Sequence, residues 1–215
     1  MKIPSYPEGH ALLSDRTVLV TAAAGTGIGF ATARRAVEEG AIVVISDKHE
    51  RRLGEAADRL AEISGRRPPA VVCDVTDEED VQRLFATAID SVGPLDVVVN
   101  NAGLGGTAEL VDMTDEQWGI VLDVTLNGTF RCTRAALRHM YGRGSGVIVN
   151  NASVLGWRAQ AGQAHYAAAK AGVMALTRCA AMEAAAHGVR VNAVAPSSPC
   201  TRSSPRSRAT TSSRS

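Results

Sequence analysis

From residue 16 onward the chain alternates short runs of apolar, mostly β-branched residues with longer stretches whose apolar positions recur every three or four residues. The runs Thr17–Thr21, Ile42–Ser46, Ala70–Cys73, Leu95–Asn100, Val147–Asn150 and Val189–Val194 are apolar almost throughout, as strands buried on both faces are. The periodic stretches predict helices near 28–39, 50–64, 77–92, 115–141 and 164–187. Two carry capping-box patterns, Thr76 with Glu79 and Thr114 with Gln117. Strand and helix in strict alternation imply right-handed βαβ crossovers, a parallel sheet and a doubly wound α/β fold in a single domain. Ligands of such sheets bind beyond the carboxyl ends of the strands, and the candidate motifs all fall there.

At 215 residues the chain is long enough to bury a sizeable core in one domain. A net charge of +1 gives no basic excess that would argue for a nucleic-acid partner. No apolar stretch approaches a membrane span, and Met1–His10 lacks the basic-then-apolar pattern of a signal peptide, so a cytoplasmic protein without a membrane partner is expected. Cys73, Cys132, Cys179 and Cys200 show neither zinc spacing nor a disulfide framework. His139, His187 and the scattered acids lack metal-ligand spacing as well, so no metal is expected.

Between the first strand and the first helix lies Thr21-Ala-Ala-Ala-Gly-Thr-Gly-Ile-Gly29. Gly27 and Gly29, with Ile28 between them, remove Cβ atoms where a pyrophosphate would approach the backbone, and the helix N-terminus offers unpaired N–H groups and partial positive charge. Glycines also simply make turns; the position between strand and helix favours a dinucleotide. Asp47 ends the second strand, eighteen residues after Gly29. Its carboxylate can accept both adenosine ribose hydroxyls and repels a 2′-phosphate, which favours NAD over NADP. Lys48, His49, Arg51 and Arg52 soften that preference and leave NADP open. Asp74-Val75 and Asn100-Asn101-Ala102-Gly103 follow the third and fourth strands. Asp74 could bond an adenine amino group and the small Ala102-Gly103 pair lets backbone lie against a cofactor, although each alone reads equally well as a loop cap.

Past the fifth strand comes Ser153, and on the next helix Tyr166 and Lys170, four apart, stack one turn above the other. A phenol titrates near 10, so only about one in a thousand is ionised at pH 7, and it needs a neighbouring cation before it works as a base. Lys170 is that candidate cation. Ser153 could bond a carbonyl or alcohol oxygen while Tyr166 gives or takes its proton, which suits carbonyl–alcohol interconversion. The bland reading is a chance Tyr-x-x-x-Lys on an amphipathic helix. His165 is expected to be an exposed helix histidine, and Trp157 and Met174 to serve core or loop packing.

The glycine motif, Asn100-Asn101-Ala102-Gly103, Ser153 thirteen residues before Tyr166, and Tyr166-x-x-x-Lys170 together resemble the short-chain dehydrogenase/reductase family in its single-domain form, from about Thr17 to Pro196. The resemblance implies a Rossmann-type sheet and an NAD(P)-dependent oxidoreductase that interconverts a secondary alcohol and a ketone by hydride transfer. It implies Tyr166 as acid/base, Lys170 binding nicotinamide ribose hydroxyls and lowering the phenol's pKa, and Ser153 polarising the substrate oxygen. Cofactor contacts are implied at Gly27, Ile28, Gly29, Asp47, Asp74, Val75, Asn101, Ala102, Gly103, Tyr166 and Lys170, and a homo-oligomer is implied for full-length members. The wording resembles actinobacterial members that handle acyl thioesters or steroid-derived ketones.

Three departures stand out. Counting back from Gly27, Ala22 and Ala23 occupy the family's Thr-Gly pair, which costs little unless φ is positive there. Thr125 stands where the family carries an Asn that helps hold a relay water, and Asn127, two residues on, would point to a different side of the helix. Residues 198–215 are almost wholly Ser, Thr, Arg and Pro and cannot make the family's last buried strand. One choice of synonymous codons for this tail, read one base earlier, spells a sequence that resembles a normal family continuation. The expectation is therefore an N-terminal extension (1–15), a dinucleotide-binding and catalytic domain (16–197), and a disordered basic tail (198–215) of frameshift origin on a truncated chain. Loss of the last strand would leave an unpaired edge, weaker folding and low or no activity, so the alternative function is a non-catalytic remnant that at most binds a dinucleotide.

Overall fold

Six strands, β1 (Thr17–Val20), β2 (Ile42–Asp47), β3 (Ala70–Val72), β4 (Val97–Asn100), β5 (Gly146–Asn151) and β6 (Val189–Val194), form one sheet in the computed structural model, which describes residues 6–197. All pairs are parallel and the order is β3-β2-β1-β4-β5-β6, so the chain reverses direction across the sheet between β1 and β4. Helices α1 (Ile28–Glu38), α2 (Glu50–Ser64), α3 (Glu78–Val92), α4 (Asp115–Leu122), α5 (Gly128–Tyr141) and α6 (Ala164–Ala185) make the crossovers. The doubly wound α/β fold expected from the alternation is the fold observed.

Alternate strand residues point to opposite faces and build two separate cores. Leu19, Val44, Val98 and Ile148 pack with residues of α3, α5 and α6. Val18, Val20, Val43 and Ile45 pack with α1 and α2. Leu19, Val44, Val98, Ile148, Val20 and Ile45 are wholly excluded from solvent, each such burial stabilising the fold by about 1.5–3 kcal/mol. On the α1 side, an open apolar recess of about 460 Å³ lies over Val18, Val97 and Val99, and β3 and β6 are the two edges of the sheet among the described residues. The tail expected to be disordered, and Cys200 with it, lies outside the described residues.

Three local expectations change. The helix foreseen over 115–141 is interrupted by a π-helical turn at Asp123–Asn127, because the Thr125 side chain turns inward to the Leu104 backbone and Gly128 lies so close to Val75 that a Cβ would meet its Cγ2 at 2.6 Å. The α3 cap is Asp77, whose carboxylate accepts the N–H groups of Glu79 and Asp80; the Thr76 hydroxyl is drawn instead to Asp74 Oδ1 at 2.8 Å. The Thr114–Gln117 capping box is present. Residues 6–15, read as an extension, are bound to α1: the Tyr6 hydroxyl donates to Glu38, the N–H groups of His10 and Leu12 donate to Glu39 Oε2, and Arg35 donates to the carbonyls of Pro7 and Glu8. The Leu12 N–H first, then that of His10, holds the Glu39 carboxyl below its ordinary pKa. None of these bonds leaves a periodic trace in sequence.

Candidate active site

Parallel strands bring Thr21, Asp47, Asn100 and Asn151 to one edge, and every candidate residue lies on that edge or on α6, which crosses it. Ser153 follows β5 and is 8% exposed. Its Oγ accepts the Leu155 N–H at 3.2 Å, which leaves its own O–H free to donate. Ser153 and Tyr166 line a common cleft of about 560 Å³ with Ile28, Asn151, Leu155 and Arg158. One turn on, Lys170 is 2% exposed, its Nζ lies 5.6 Å from the centroid of the Tyr166 ring, and it donates to the Asn151 carbonyl. The three groups converge as the spacing required.

Their electrostatics differ from the expectation that the ammonium acidifies the phenol. Burial raises the Tyr166 pKa above its ordinary value, and the neighbouring Ser153 hydroxyl offsets only part of that. Burial also lowers the Lys170 pKa to about 8. Both shifts have the same cause, the removal of water from the charged form: the first holds Tyr166 as the neutral phenol near neutral pH, and the second brings the Lys170 ammonium closer to losing its proton.

The lysine shift has a measurable consequence. The folded chain releases the Lys170 proton at about 8 and an unfolded lysine only near 10.4, so between those values the unfolded state binds more protons and stability rises with pH. The raised phenol acts in the opposite direction only above about 10. Denaturant midpoints measured from about pH 8 to 10 should climb in the wild type and stay flatter in Lys170→Met; equal slopes would contradict the buried-ammonium geometry.

Asp47, Asp74, Val75, Ala102 and Gly103 line a second cavity, of about 210 Å³, together with Ala22, Lys48, His49, Arg52 and Leu104. Asp47 Oδ2 accepts the Ala24 N–H at 3.3 Å and Oδ1 the His49 N–H at 3.0 Å; burial raises its pKa, with the Ala24 N–H and Arg52 opposing. Asp74 Oδ1 is engaged by the N–H and hydroxyl of Thr76, so part of this carboxylate serves as a loop cap. A dinucleotide fits this edge. Gly27 caps α1 without a side-chain hydrogen bond and a Cβ on it would meet nothing within 4 Å, so no side chain caps this helix N-terminus and nothing crowds the approach at Gly27.

Two motif readings need revision. At Gly29 a Cβ would stand 2.3 Å from the Ala22 carbonyl oxygen and 2.4 Å from Asn101 Nδ2, so this glycine serves the packing of helix against turn rather than an approaching phosphate. Ala22 has φ +50°, so the condition under which an alanine in this motif costs strain is met, at Ala22 and not at Ala23. The strained turn is held by Asn101, whose Nδ2 donates to the carbonyls of Thr21 and Ala22, while Thr21 Oγ1 accepts the N–H groups of Asn101 and Ala102. Asn151 Nδ2 donates in turn to Asn101 Oδ1 at 2.8 Å. One asparagine ladder thus joins the glycine turn to the carbonyl that receives Lys170. Asn151 escaped the sequence reading, although Asn150-Asn151 repeats the Asn100-Asn101 pair on the adjacent strand end.

Thr125 is fully buried and its hydroxyl is taken by Leu104, accepting the N–H at 3.0 Å and donating to the carbonyl at 3.2 Å. Asn127 is exposed and donates to Asp123. His165, expected on the surface, is 2% exposed, and Trp157, expected to pack, is 66% exposed. Among the described residues no group of three His, Cys, Asp or Glu is placed to hold a metal, and no helix is long and apolar enough to cross a membrane.

The comparisons with known proteins agree with this architecture. The family model for short chain dehydrogenase matches residues 16–211. The chain is 62% identical over 195 residues to a Mycobacterium tuberculosis H37Rv protein named (5R,7aS)-5-hydroxy-7a-methyl-1-oxo-2,3,5,6,7,7a-hexahydro-1H-indene-carboxyl-CoA reductase, covering 90% of this chain and 74% of that one. It is 46% identical over 187 residues to the cis-4-hydroxycyclohexanecarboxylate dehydrogenase of Sinomonas cyclohexanicum, covering 85% and 73%. A crystal structure of a short chain dehydrogenase from Mycobacterium smegmatis superimposes with a TM-score of 0.89 at 63% identity, covering 91% of this chain and 82% of that one. The chain belongs to the short-chain dehydrogenase family, oxidoreductases that act on CH–OH and keto groups.

Proposed function

We propose that the protein interconverts a cyclic or acyl-chain ketone and its secondary alcohol on an acyl thioester, with NAD as its preferred cofactor. The observation that carries this reading is the convergence of Ser153 and Tyr166 on one cleft, with the Lys170 ammonium 5.6 Å behind the phenol ring. The thioester is suggested by the name of the Mycobacterium tuberculosis relative.

Gly27, Ile28 and the α1 N-terminus would hold the pyrophosphate, Asp47 the adenosine ribose, and Asp74, Val75, Asn101, Ala102 and Gly103 would frame the rest. Bound there, the nicotinamide supplies or accepts the hydride. Ser153 donates its free O–H to the substrate oxygen and orients the carbonyl. Tyr166, kept protonated by burial, gives its proton to that oxygen as negative charge develops on it, and takes it back in the reverse direction. Lys170 uses one N–H on Asn151 and has two left for ribose hydroxyls.

Carboxylate against 2′-phosphate sets the cofactor preference, since juxtaposed like charges cost several kcal/mol. With a panel of ketones and thioesters, nicotinamide absorbance should report turnover with NADH preferred over NADPH by about a hundredfold or more, and Asp47→Ser should lift NADPH use to within about tenfold. Equal use of both by the wild type would refute the assignment of Asp47. The rival reading, a chain that binds a dinucleotide without turnover, draws on the open recess beside β4 and the β6 edge. Saturable NADH binding with no turnover on any substrate would select it.

A further inference from the structure

We propose that His165 is a positioning residue: its neutral imidazole fixes the backbone beneath Tyr166 and the Gly105–Thr107 loop that faces it, in the register that proton transfer needs. This rests on the reading of Tyr166 as proton donor. The Tyr166 N–H lies in the first turn of α6, where N–H groups have no partner within the helix, and the cap residue Gln163 supplies no side-chain hydrogen bond. His165 Nδ1 accepts that N–H at 2.9 Å. A ring that accepts at Nδ1 carries its proton on Nε2, and Nε2 faces Gly106, where a Cβ would stand only 3.3 Å away. The neighbouring Gly105 faces the Tyr166 ring itself, a Cβ there lying 4.0 Å from Cδ2.

The same loop is held at both ends. Leu104 is bonded through its N–H and carbonyl to Thr125, the Gln163 amide donates to the Gly106 carbonyl and to Thr107 Oγ1, and the Ala108 N–H donates to the Gly162 carbonyl at 3.1 Å. His165 is the buried side chain at the middle of this seam, one residue from the phenol and against the loop that continues from Asn101-Ala102-Gly103. A small displacement here moves the phenol relative to both substrate and cofactor walls. Misplacement by about 1 Å lowers turnover by up to about two orders of magnitude.

His165→Phe keeps a planar ring and removes the acceptor; His165→Asn places Oδ1 where Nδ1 stood. The expected result for His165→Phe is a fall in kcat of about tenfold or more with the KM for NADH near wild type, together with faster hydrogen exchange of the Tyr166 amide. His165→Asn should recover most of kcat and of the exchange protection. Wild-type kcat in His165→Phe, or an Asn variant as impaired as the Phe variant, would overturn the proposal. If the Phe variant does not fold, His165→Leu against His165→Asn makes the same comparison. Should the wild type turn nothing over, the function reading falls, while amide exchange still decides the positioning role: protection of Tyr166 unchanged by loss of the imidazole acceptor sinks it.

Discussion

Tyr166→Phe is expected to abolish ketone reduction, lowering kcat by roughly 10²–10⁴-fold while leaving cofactor binding and melting temperature close to wild type. The substitution removes one oxygen and keeps the ring, so the contact with Gly105 and the packing of α6 are retained. What it removes is the proton that, in the proposed mechanism, reaches the substrate oxygen as negative charge develops on it. The other hydroxyls that line the cleft, Ser153 and Ser197, are alcohols, too weak as acids to replace a phenol; Lys170 is turned to the Asn151 carbonyl. The measurement is steady-state turnover of the wild type and variant on the same ketone, with NADH binding followed separately by fluorescence. Turnover that survives in the variant would remove Tyr166 from the mechanism, whatever the binding result.

Gly29→Ala is expected to have the second large effect, and on a different property. The added methyl carbon would lie 2.3 Å from the Ala22 carbonyl oxygen, a backbone atom in a strained left-handed turn that also accepts a hydrogen bond from Asn101. Neither partner is the loose end of a flexible side chain, so α1 must move away from the turn. The overpacking should cost about 1–3 kcal/mol of stability and, by separating the helix N-terminus from Asn101, most of the NADH affinity. Gly27→Ala makes the contrast: its Cβ meets nothing within 4 Å in the protein, so the melting temperature should hold while dinucleotide affinity falls. Thermal melts and NADH titrations of the two variants check the pair. A Gly29→Ala protein with unchanged stability would show that the helix and turn are not in contact as described.

The two glycines illustrate how far residues can be read without coordinates. Both were legible as a phosphate turn from their place between a strand and a helix. That one faces open space and the other faces protein depends on where Asn101 lies, 72 residues after Gly29 and just past the end of β4. The same limit applies at Thr125. Its departure from the family pattern was visible, but the π-helical turn that swings its hydroxyl onto Leu104 arises from packing against a separate loop. His165 was misjudged for a related reason: helical periodicity says nothing about a loop that folds over the first turn of α6.

Apolar periodicity, the placing of Gly, Asp, Asn and Ser just past strand ends, and that of Tyr and Lys one turn apart on a helix determined by themselves the parallel α/β sheet, its carboxyl edge and the residues that gather there. These features follow from local spacing, which survives translation into any tertiary setting. Only the tertiary structure decided the protonation balance of Tyr166 and Lys170, the asparagine ladder from the glycine turn to Asn151, and the burial of His165. Desolvation and hydrogen bonding between distant segments are properties of the surroundings in space, and a linear sequence does not record which segments become neighbours.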